Sequence, residues 1–409
     1  MKEFMRKQEG LLMCIPIFTV VLFFIVIGFL YKQERLHWGD RAFHRFDADN
    51  YIQNSNSKNE MINTIRRLPL YRLFPKNIII KIVLIMFICT LLFLIVFDFT
   101  KSIAIGSIIL ILYALDLPSQ IMNLQTMPEL LFTVLLLSGV IMLLKRRFML
   151  SGFLLSMCAI TKTVGFYLFI PVIISLFYLY RMKSLKFILI WIIGFSSLIT
   201  MRYYSNYKHF GKVFYASQGL YFYTQIVPMI LSKVNTIDFR TIQLKINEQF
   251  DAKCSNVGYI EADYWATKQA IKIYKKYPYE FLVVQSQSFL RLFTASGRTI
   301  IGQSIYGKEP KNLTDFESVT NPWKIPFKHL WQSETMIGIS LFVWAHLFII
   351  LYFAFKGIST MNFNVTLPLC LIYGFLALSM TATEVDVRSR IPLMPALLIF
   401  AGKGVKKYV

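Results

Sequence analysis

Residues 78–97 read IIIKIVLIMFICTLLFLIVF and contain a single charged side chain, Lys81. A helix of about 20 apolar residues crosses the hydrocarbon core of a bilayer, so this stretch predicts a membrane-spanning helix. The other clear candidates are 11–31, 163–180, 335–355 and 363–382. Shorter or less regular candidates are 102–117, 128–144, 148–161, 185–201 and 391–405. Together they predict an all-α membrane protein of about ten transmembrane helices.

The composition of the whole chain agrees with this prediction. The chain has 409 residues, of which 56% are hydrophobic, an excess over the roughly 45–50% of soluble domains. The formal net charge is +22 at pH 7, which in a soluble protein would indicate nucleic-acid binding. Here much of the charge lies at the ends of apolar runs, where it sets orientation and contacts anionic headgroups. We therefore expect membrane lipids, and no nucleic acid, among the partners.

Basic residues mark every second junction between the apolar runs. These junctions contain Lys2, Arg6, Lys7, Lys101, Lys145, Arg146, Arg147, Arg181, Lys183, Lys186, Lys356, Lys403, Lys406 and Lys407. Because lysine and arginine accumulate in cytoplasmic loops, the pattern predicts a multi-pass protein of the cell membrane with a cytoplasmic N-terminus. Run 11–31 is long enough to span and no small-residue cleavage site follows it, so we expect a retained helix rather than a secretion signal.

This topology divides the chain into three regions. Residues 1–201 form an N-terminal membrane region, whose first extracytoplasmic loop, 32–77, is long and polar. Residues 202–334 form a larger extracytoplasmic segment between helices 7 and 8, and 335–409 carry the C-terminal membrane helices. Helical periodicity around 261–293, with several Tyr and Trp residues, predicts packing at the membrane interface or a small folded cap.

The cysteines and histidines indicate no cofactor. The five cysteines are Cys14, Cys89, Cys158, Cys254 and Cys370. Four of them lie inside apolar runs, and their spacing gives neither a disulfide framework nor a CxxC metal site. His37 and His44 lack an HxxxH or HExxH pattern, so no zinc site is predicted. The sequence requires no metal, although it leaves a divalent metal at the acids of the first loop open.

Unusual charges collect at the predicted outer ends of the helices. The first loop reads RAFHRFDADNY at 41–51 and IRRLPLYRLFP at 65–75. Its charged candidates are Asp47, Asp49, Arg66 and Arg67, and those beyond it are Glu129, Lys162, Arg388 and Arg390. A carboxylate can take the proton of an acceptor hydroxyl, and cations can hold a phosphate as it leaves. This combination favours group transfer from a lipid-linked phosphate at the headgroup boundary.

Each candidate also has a purely structural interpretation. The two acids of the first loop suit a turn about equally well, and its arginines more often anchor an interfacial helix. Lys162 can extend its ammonium group to the membrane surface, and Glu129 is favoured at a helix start by the helix dipole. Arg388 and Arg390 lie on the predicted outer side, against the positive-inside pattern, and this favours a functional role.

The loop motifs resemble those of the membrane-embedded C-type glycosyltransferases, which include protein O-mannosyltransferases and lipid A aminoarabinose transferases. Asp47-Ala-Asp-Asn-Tyr51 is similar to the Asp-x-x-x-Tyr motif in the first outer loop of many bacterial members. Arg67-Leu-Pro69-Leu-Tyr is similar to the Arg-x-Pro-Leu stretch that follows in the family. The residues 151–172 resemble a small-residue-rich helix ending in a Thr-Lys pair, here Thr161 and Lys162.

The C-terminal stretch adds a weaker likeness. RSRIPLMP at 388–395 is similar to the Arg-Tyr-x-x-Pro-x-x-Pro terminal helix of the family, with Ser389 at the aromatic position. The resemblance covers roughly the first 200 residues and the last 25 or so. The segment 202–334 has no counterpart in it, because family members with a large soluble domain usually carry that domain after the last helix.

The resemblance implies an inverting glycosyltransferase at the outer face of the bacterial inner membrane. Its partners would be a polyprenyl-phosphate sugar donor and a glycan, lipid or protein acceptor. The family's essential acid falls on Asp47, with Asp49 as the alternate. Together with the charges at the predicted outer ends of the helices, it predicts substrate or phosphate binding by Lys162, Arg388, Arg390, Arg66, Arg67, Tyr51 and Glu129.

Two other functions remain open at this point. A transporter or flippase of lipid-linked sugars would also have many spans, but transporters place polar residues near the bilayer centre, at broken helices. A surface-glycan polymerase or ligase would also have a large outer loop and outer arginines. The clustering of charge at one surface favours the enzyme over the transporter, and the Asp47–Tyr51 motif argues against the polymerase.

Overall fold

The computed structural model describes residues 78–124, 128–216, 219–294, 334–381 and 387–408. The first half of this part contains α1 (Ile78–Thr100), α2 (Ile103–Leu115), α3 (Leu117–Leu124), α4 (Glu129–Leu144), α5 (Phe148–Thr161), α6 (Phe169–Tyr180) and α7 (Ser184–Phe210). The second half contains α8 (Gly219–Tyr221), α9 (Val227–Asn235), α10 (Phe239–Val257), α11 (Tyr259–Lys276), α12 (Pro278–Thr294), α13 (Glu334–Ile358), α14 (Phe363–Thr381), α15 (Val387–Arg390) and α16 (Met394–Val405). The described residues are all-α, as predicted.

Within the described residues, five segments are long and apolar enough to cross a membrane. They are Ile80–Thr100, Thr163–Tyr180, Ser184–Lys208, Ser340–Ile358 and Phe363–Met380. Shorter apolar helices are Ile103–Leu115, Glu129–Leu144, Phe148–Thr161 and Met394–Val405. Each apolar run that we predicted within the described ranges is therefore helical, and run 11–31 lies outside them. The count of about ten spans and their orientation stay predictions.

One helix is longer than its apolar run suggested. We predicted a helix over 185–201, but α7 continues to Phe210, because the polar stretch after Met201 contains no glycine or proline before Gly211. Gly211 ends the helix in the left-handed conformation, with φ of 66°, and its N–H donates to the carbonyl of Tyr207. The extra turns carry Arg202 into a buried position, so the helix brings a charge from beyond the apolar run into the packed interior.

We call α1 to α7 and α13 to α16 the bundle. Close contact between its helices depends on glycine. A Cβ added at Gly152 of α5 would collide with the backbone oxygen of Trp191 on α7. A Cβ at Gly194 of α7 would collide in the same way with the backbone of Met149. Small residues at such crossings let two backbones approach and pack tightly, which is how helices associate in an apolar solvent. This contact holds α5, and the end at which Lys162 follows it, against α7.

The helices α8 to α12 have an apolar cluster of their own. Its buried residues are Tyr223, Val227, Ile242, Ile246, Phe250, Tyr259, Ala262, Ala266 and Ala270. The helical periodicity that we predicted around 261–293 is present, but it is divided between α11 and α12. Pro278 begins α12, since proline lacks the N–H that a helix interior requires but suits a first turn. We call α8 to α12 the cap. Leu292, near the end of α12, is buried in the larger apolar cluster of the bundle.

Candidate functional site

The helix break at Asp116 holds a buried ion pair. Asp116 lies between α2 and α3, and its Oδ1 accepts a hydrogen bond of 3.1 Å from Nη2 of Arg390. Both side chains have 0% exposed surface. Taking two charges out of water costs several kcal/mol for each ion, so such a pair is maintained only when its members contact each other closely. The pair ties α3 to α15, at the entry to the last helix.

Polar side chains of α3 continue from this ion pair. Gln120 Nε2 donates to the carbonyl of Tyr113 at 2.6 Å, and Asn123 Nδ2 donates to Gln120 Oε1 at 3.1 Å. His346 of α13 interacts electrostatically with Asp116 and with Arg390, and it contacts the backbone of Leu112. Several helices therefore converge on one buried polar network. Its hydrogen bonds join α2, α3 and α15, while Asp116 Oδ2 and Asn123 Oδ1 are buried without a hydrogen-bond partner among the described residues.

A second ion pair joins the ends of α4 and α5. Lys162 Nζ lies 3.0 Å from Glu129 Oε1. The Glu129 side chain is 4% exposed and opens α4, where the positive end of the helix dipole favours a carboxylate. Lys162 is 25% exposed and has an extended backbone between α5 and the 3₁₀ turn Thr163–Leu168. This turn interrupts the apolar run and leaves the ammonium group of Lys162 partly exposed.

Aromatic side chains cover the turn that follows Lys162. The ring of Tyr215 stacks on Phe166 with centroids 4.4 Å apart. Burial raises the pKa of the Tyr215 hydroxyl, although the nearby Arg202 guanidinium acts in the opposite direction. The hydroxyl is therefore protonated at neutral pH and can donate a hydrogen bond. Arg202 itself is only 5% exposed, so a cation and a phenol lie together beside this turn.

The two ion pairs lie at the same end of the bundle. Asp116 directly follows α2, and the eight-residue α3 is only about 12 Å long, so α4 begins near the end at which α2 stops. Glu129 begins α4 and contacts Lys162 at the end of α5. Arg390 precedes α16 and contacts Asp116. Four charged residues from separate parts of the chain thus gather at the end that we predicted to face outwards.

Of the candidate residues from the sequence, Glu129, Lys162 and Arg390 have side chains that the structure describes. It brings Glu129 and Lys162 together, and it pairs Arg390 with an acid that we had not singled out. Arg388 lies in α15, but its side chain is outside the described residues. The first-loop candidates lie outside the described residues as well; they are Asp47, Asp49, Tyr51, Arg66 and Arg67.

Sequence reasoning missed Asp116, Arg202 and Tyr215. Asp116 had a signal, because it is a carboxylate within the predicted span 102–117, and charges inside spans are functional candidates. Arg202 had a weaker one, as the first cation after an apolar run. Tyr215 had none, since nothing in the chain around it differs from the many other tyrosines.

The described ranges contain no group of three or more His, Cys, Asp or Glu side chains that could hold a metal ion. Among the described residues, no disulfide joins any of Cys89, Cys158, Cys254 and Cys370.

Comparison with known proteins gives no relative for this chain. No protein family, curated protein or solved structure matches it. The resemblance seen in the loop motifs therefore rests on those motifs alone.

Proposed function

We propose that this chain is a membrane glycosyltransferase that moves a sugar from a polyprenyl-phosphate carrier to a cell-surface glycan, lipid or protein acceptor. About ten helices would span the inner membrane, with the N-terminus in the cytoplasm and the site at the outer face. The observation that carries the proposal is the Glu129–Lys162 pair, a partly exposed ammonium group at the bundle end where further charges gather. Such a cation suits a lipid phosphate that enters from the headgroup boundary.

The proposed reaction is a single displacement at the anomeric carbon. The carboxylate of Asp47 takes the proton of the acceptor hydroxyl, and the acceptor oxygen forms a bond to the sugar with inversion. The bond between the sugar and the phosphate oxygen breaks, and its electrons remain on the departing polyprenyl phosphate. Lys162 and Arg388 then stabilise the negative charge that develops on this phosphate, with Arg66 or Arg67 as a third cation. Asp49 is the alternate base, and Tyr51 belongs to the same loop motif.

The burial of each cation determines its role in the proposed mechanism. Lys162 is one-quarter exposed, so its ammonium group can turn from Glu129 to an incoming phosphate without first being uncovered. Arg390 is fully buried against Asp116, so it positions α15 and α16 instead of touching the donor. Arg388 lies two residues earlier on α15.

A flippase of lipid-linked sugars is the second candidate function. The observation that favours it is the Asp116–Arg390 pair, which is fully buried at the break between α2 and α3. Transporters often place charged side chains at interrupted helices inside the bundle. The two functions differ in chemistry, because a flippase leaves the bond between sugar and phosphate intact.

The test is a transfer assay on the purified chain in lipid nanodiscs with a polyprenyl-phosphate sugar as the donor. Lys162→Met should slow the release of polyprenyl phosphate by about tenfold to a hundredfold, since a charged hydrogen bond contributes about 1.5–3 kcal/mol. Lys145→Met is the matched control, because Lys145 is an exposed lysine at the opposite end of α4. Equal rates in the Lys162→Met variant and the wild type would remove Lys162 from the site.

A further inference from the structure

The cap and the bundle meet along α12. Ile226, Ile230 and Val284 form a small apolar cluster between α9 and α12. Beyond this cluster α12 packs against α14 and α15, and Leu292 is buried in the main core of the bundle. The C-terminal half of α12 therefore lies between the cap and the short helix that carries Arg390.

Two cations at this junction lie close enough to interact electrostatically. Lys233 follows Ile230 by about one turn on α9, and Arg291 follows Val284 by about two turns on α12. Their charges repel, and this repulsion is one of the causes that lower the pKa of Lys233, after burial. Within the described ranges, neither side chain makes an ion pair with an acid.

The Arg291 guanidinium is largely enclosed. Its Nη2 atom is buried and has no hydrogen-bond partner among the residues that the structure describes. Burial lowers the pKa of Arg291 to about 10, which still leaves the guanidinium charged at neutral pH. A buried charged donor that lacks an acceptor is costly, and the nearby charge of Lys233 adds repulsion. Both costs would be relieved by an anion that binds the Arg291 guanidinium.

We propose that Lys233 and Arg291 bind the phosphate of a polyprenyl phosphate at the junction between the cap and the bundle. The fork of N–H groups on arginine matches the oxygens of a phosphate, and a dianion also removes the repulsion between the two cations. The choice of this lipid rests on the proposed function, whereas the need for an anion rests on the two side chains alone. The site would hold the carrier before transfer or after it, apart from Lys162.

The experiment measures binding and not transfer. Decaprenyl phosphate is titrated into the purified full-length chain in nanodiscs, with decaprenol and inorganic phosphate as separate probes, and bound lipid is counted by native mass spectrometry. Arg291→Met and Lys233→Met should each weaken decaprenyl phosphate binding by about tenfold or more. Decaprenol binding should not change in either variant. Arg291→Lys should retain part of the affinity, because it keeps the charge but loses the fork.

The matched control is Lys245→Met, which removes an exposed lysine of the cap from α10. It should bind decaprenyl phosphate as the wild type does. Circular dichroism checks that each variant is folded, and Lys233→Met supplies the test if Arg291→Met fails to fold, since Lys233 is less deeply buried. Wild-type affinity in Lys233→Met and in folded Arg291→Met would overturn the proposal, as would binding of inorganic phosphate as tight as that of the lipid.

The outcome is separable from that of the proposed function. Suppose that the wild type transfers no sugar, but that decaprenyl phosphate binding is lost in Arg291→Met. This result would support the phosphate site and contradict the proposed glycosyltransferase activity. A wild type that transfers sugar, with unchanged lipid binding in the folded Arg291→Met variant, would remove this site alone.

Discussion

The two ion pairs at one end of the bundle differ in how far they are buried. Asp116 and Arg390 have no exposed surface, whereas Lys162 is one-quarter exposed above an almost fully buried Glu129. A pair without exposed surface cannot exchange partners unless the helices separate, so it fixes structure. A pair with one exposed member can exchange its partner for a ligand. The difference teaches that a charge in an apolar protein has to be assigned a role by its burial as well as by its position.

The largest expected effect on the transfer rate comes from substituting Asp47, the proposed general base, which belongs to neither ion pair. A general base contributes about 10²–10⁴-fold, so Asp47→Asn should reduce transfer by this factor. The substitution is nearly isosteric, so thermal unfolding in detergent should change little. Asp49→Asn is the matched control and should retain more activity, unless Asp49 holds a metal, in which case a chelator would also inhibit the wild type. Normal turnover in Asp47→Asn would separate the first loop from catalysis.

The next effect concerns stability at the fully buried pair. Arg390→Met leaves the Asp116 carboxylate buried without its partner and should lower the free energy of unfolding by about 3–5 kcal/mol. The double variant Asp116→Leu with Arg390→Met removes both charges and should recover most of that loss. Unfolding by SDS in mixed micelles measures both. A single variant as stable as the wild type would show that the pair does not fix α3 against α15.

The partly exposed pair should show the opposite pattern. Lys162→Met should cost less stability than Arg390→Met, because Lys162 is partly exposed and its truncation opens Glu129 to water, whereas Asp116 stays fully enclosed. Transfer should still fall by about tenfold to a hundredfold. Parallel SDS unfolding and transfer assays on the two variants give the comparison directly. If Lys162→Met destabilised the protein as strongly as Arg390→Met, both pairs would be structural and the distinction between them would be wrong.

The smallest expected effect is at Tyr215, beside the turn that follows Lys162. Tyr215→Phe keeps the ring that stacks on Phe166 and removes only the protonated hydroxyl. A neutral hydrogen bond contributes about 0.5–1.5 kcal/mol, so transfer should fall by roughly twofold to tenfold. Tyr264→Phe, at an exposed position of α11, should have no effect. A Tyr215→Phe variant with the wild-type rate would place the hydroxyl outside the substrate site.

The helices were predictable because long apolar runs indicate helices by their length and composition alone. Helix ends were less predictable, since α7 continues past its apolar run to Phe210, which packs against the apolar cluster of the cap. Lys162 and Arg390 were found as charges beside apolar runs. Their ion-pair partners were harder to predict, since Arg390 and Asp116 are 274 residues apart. A single sequence does not show which acid a buried arginine contacts.

The cap illustrates the same limit. Its helices could be anticipated from periodicity, and Pro278 is a readable start signal, although we had predicted one continuous pattern across it. The electrostatic interaction between Lys233 and Arg291 could not be anticipated, because it depends on how α9 and α12 pack through Ile230 and Val284.

The most direct test of the central claim is the fate of the bond between sugar and phosphate in detergent solution, where there are no two sides to transport between. Purified chain, a polyprenyl-phosphate sugar and a crude surface-glycan acceptor are incubated, and both lipid products are separated by chromatography. The proposed function predicts one polyprenyl phosphate released for each sugar transferred, with the new linkage inverted. An intact donor in detergent, together with movement of the same donor across the bilayer of reconstituted vesicles, would contradict it and establish the flippase.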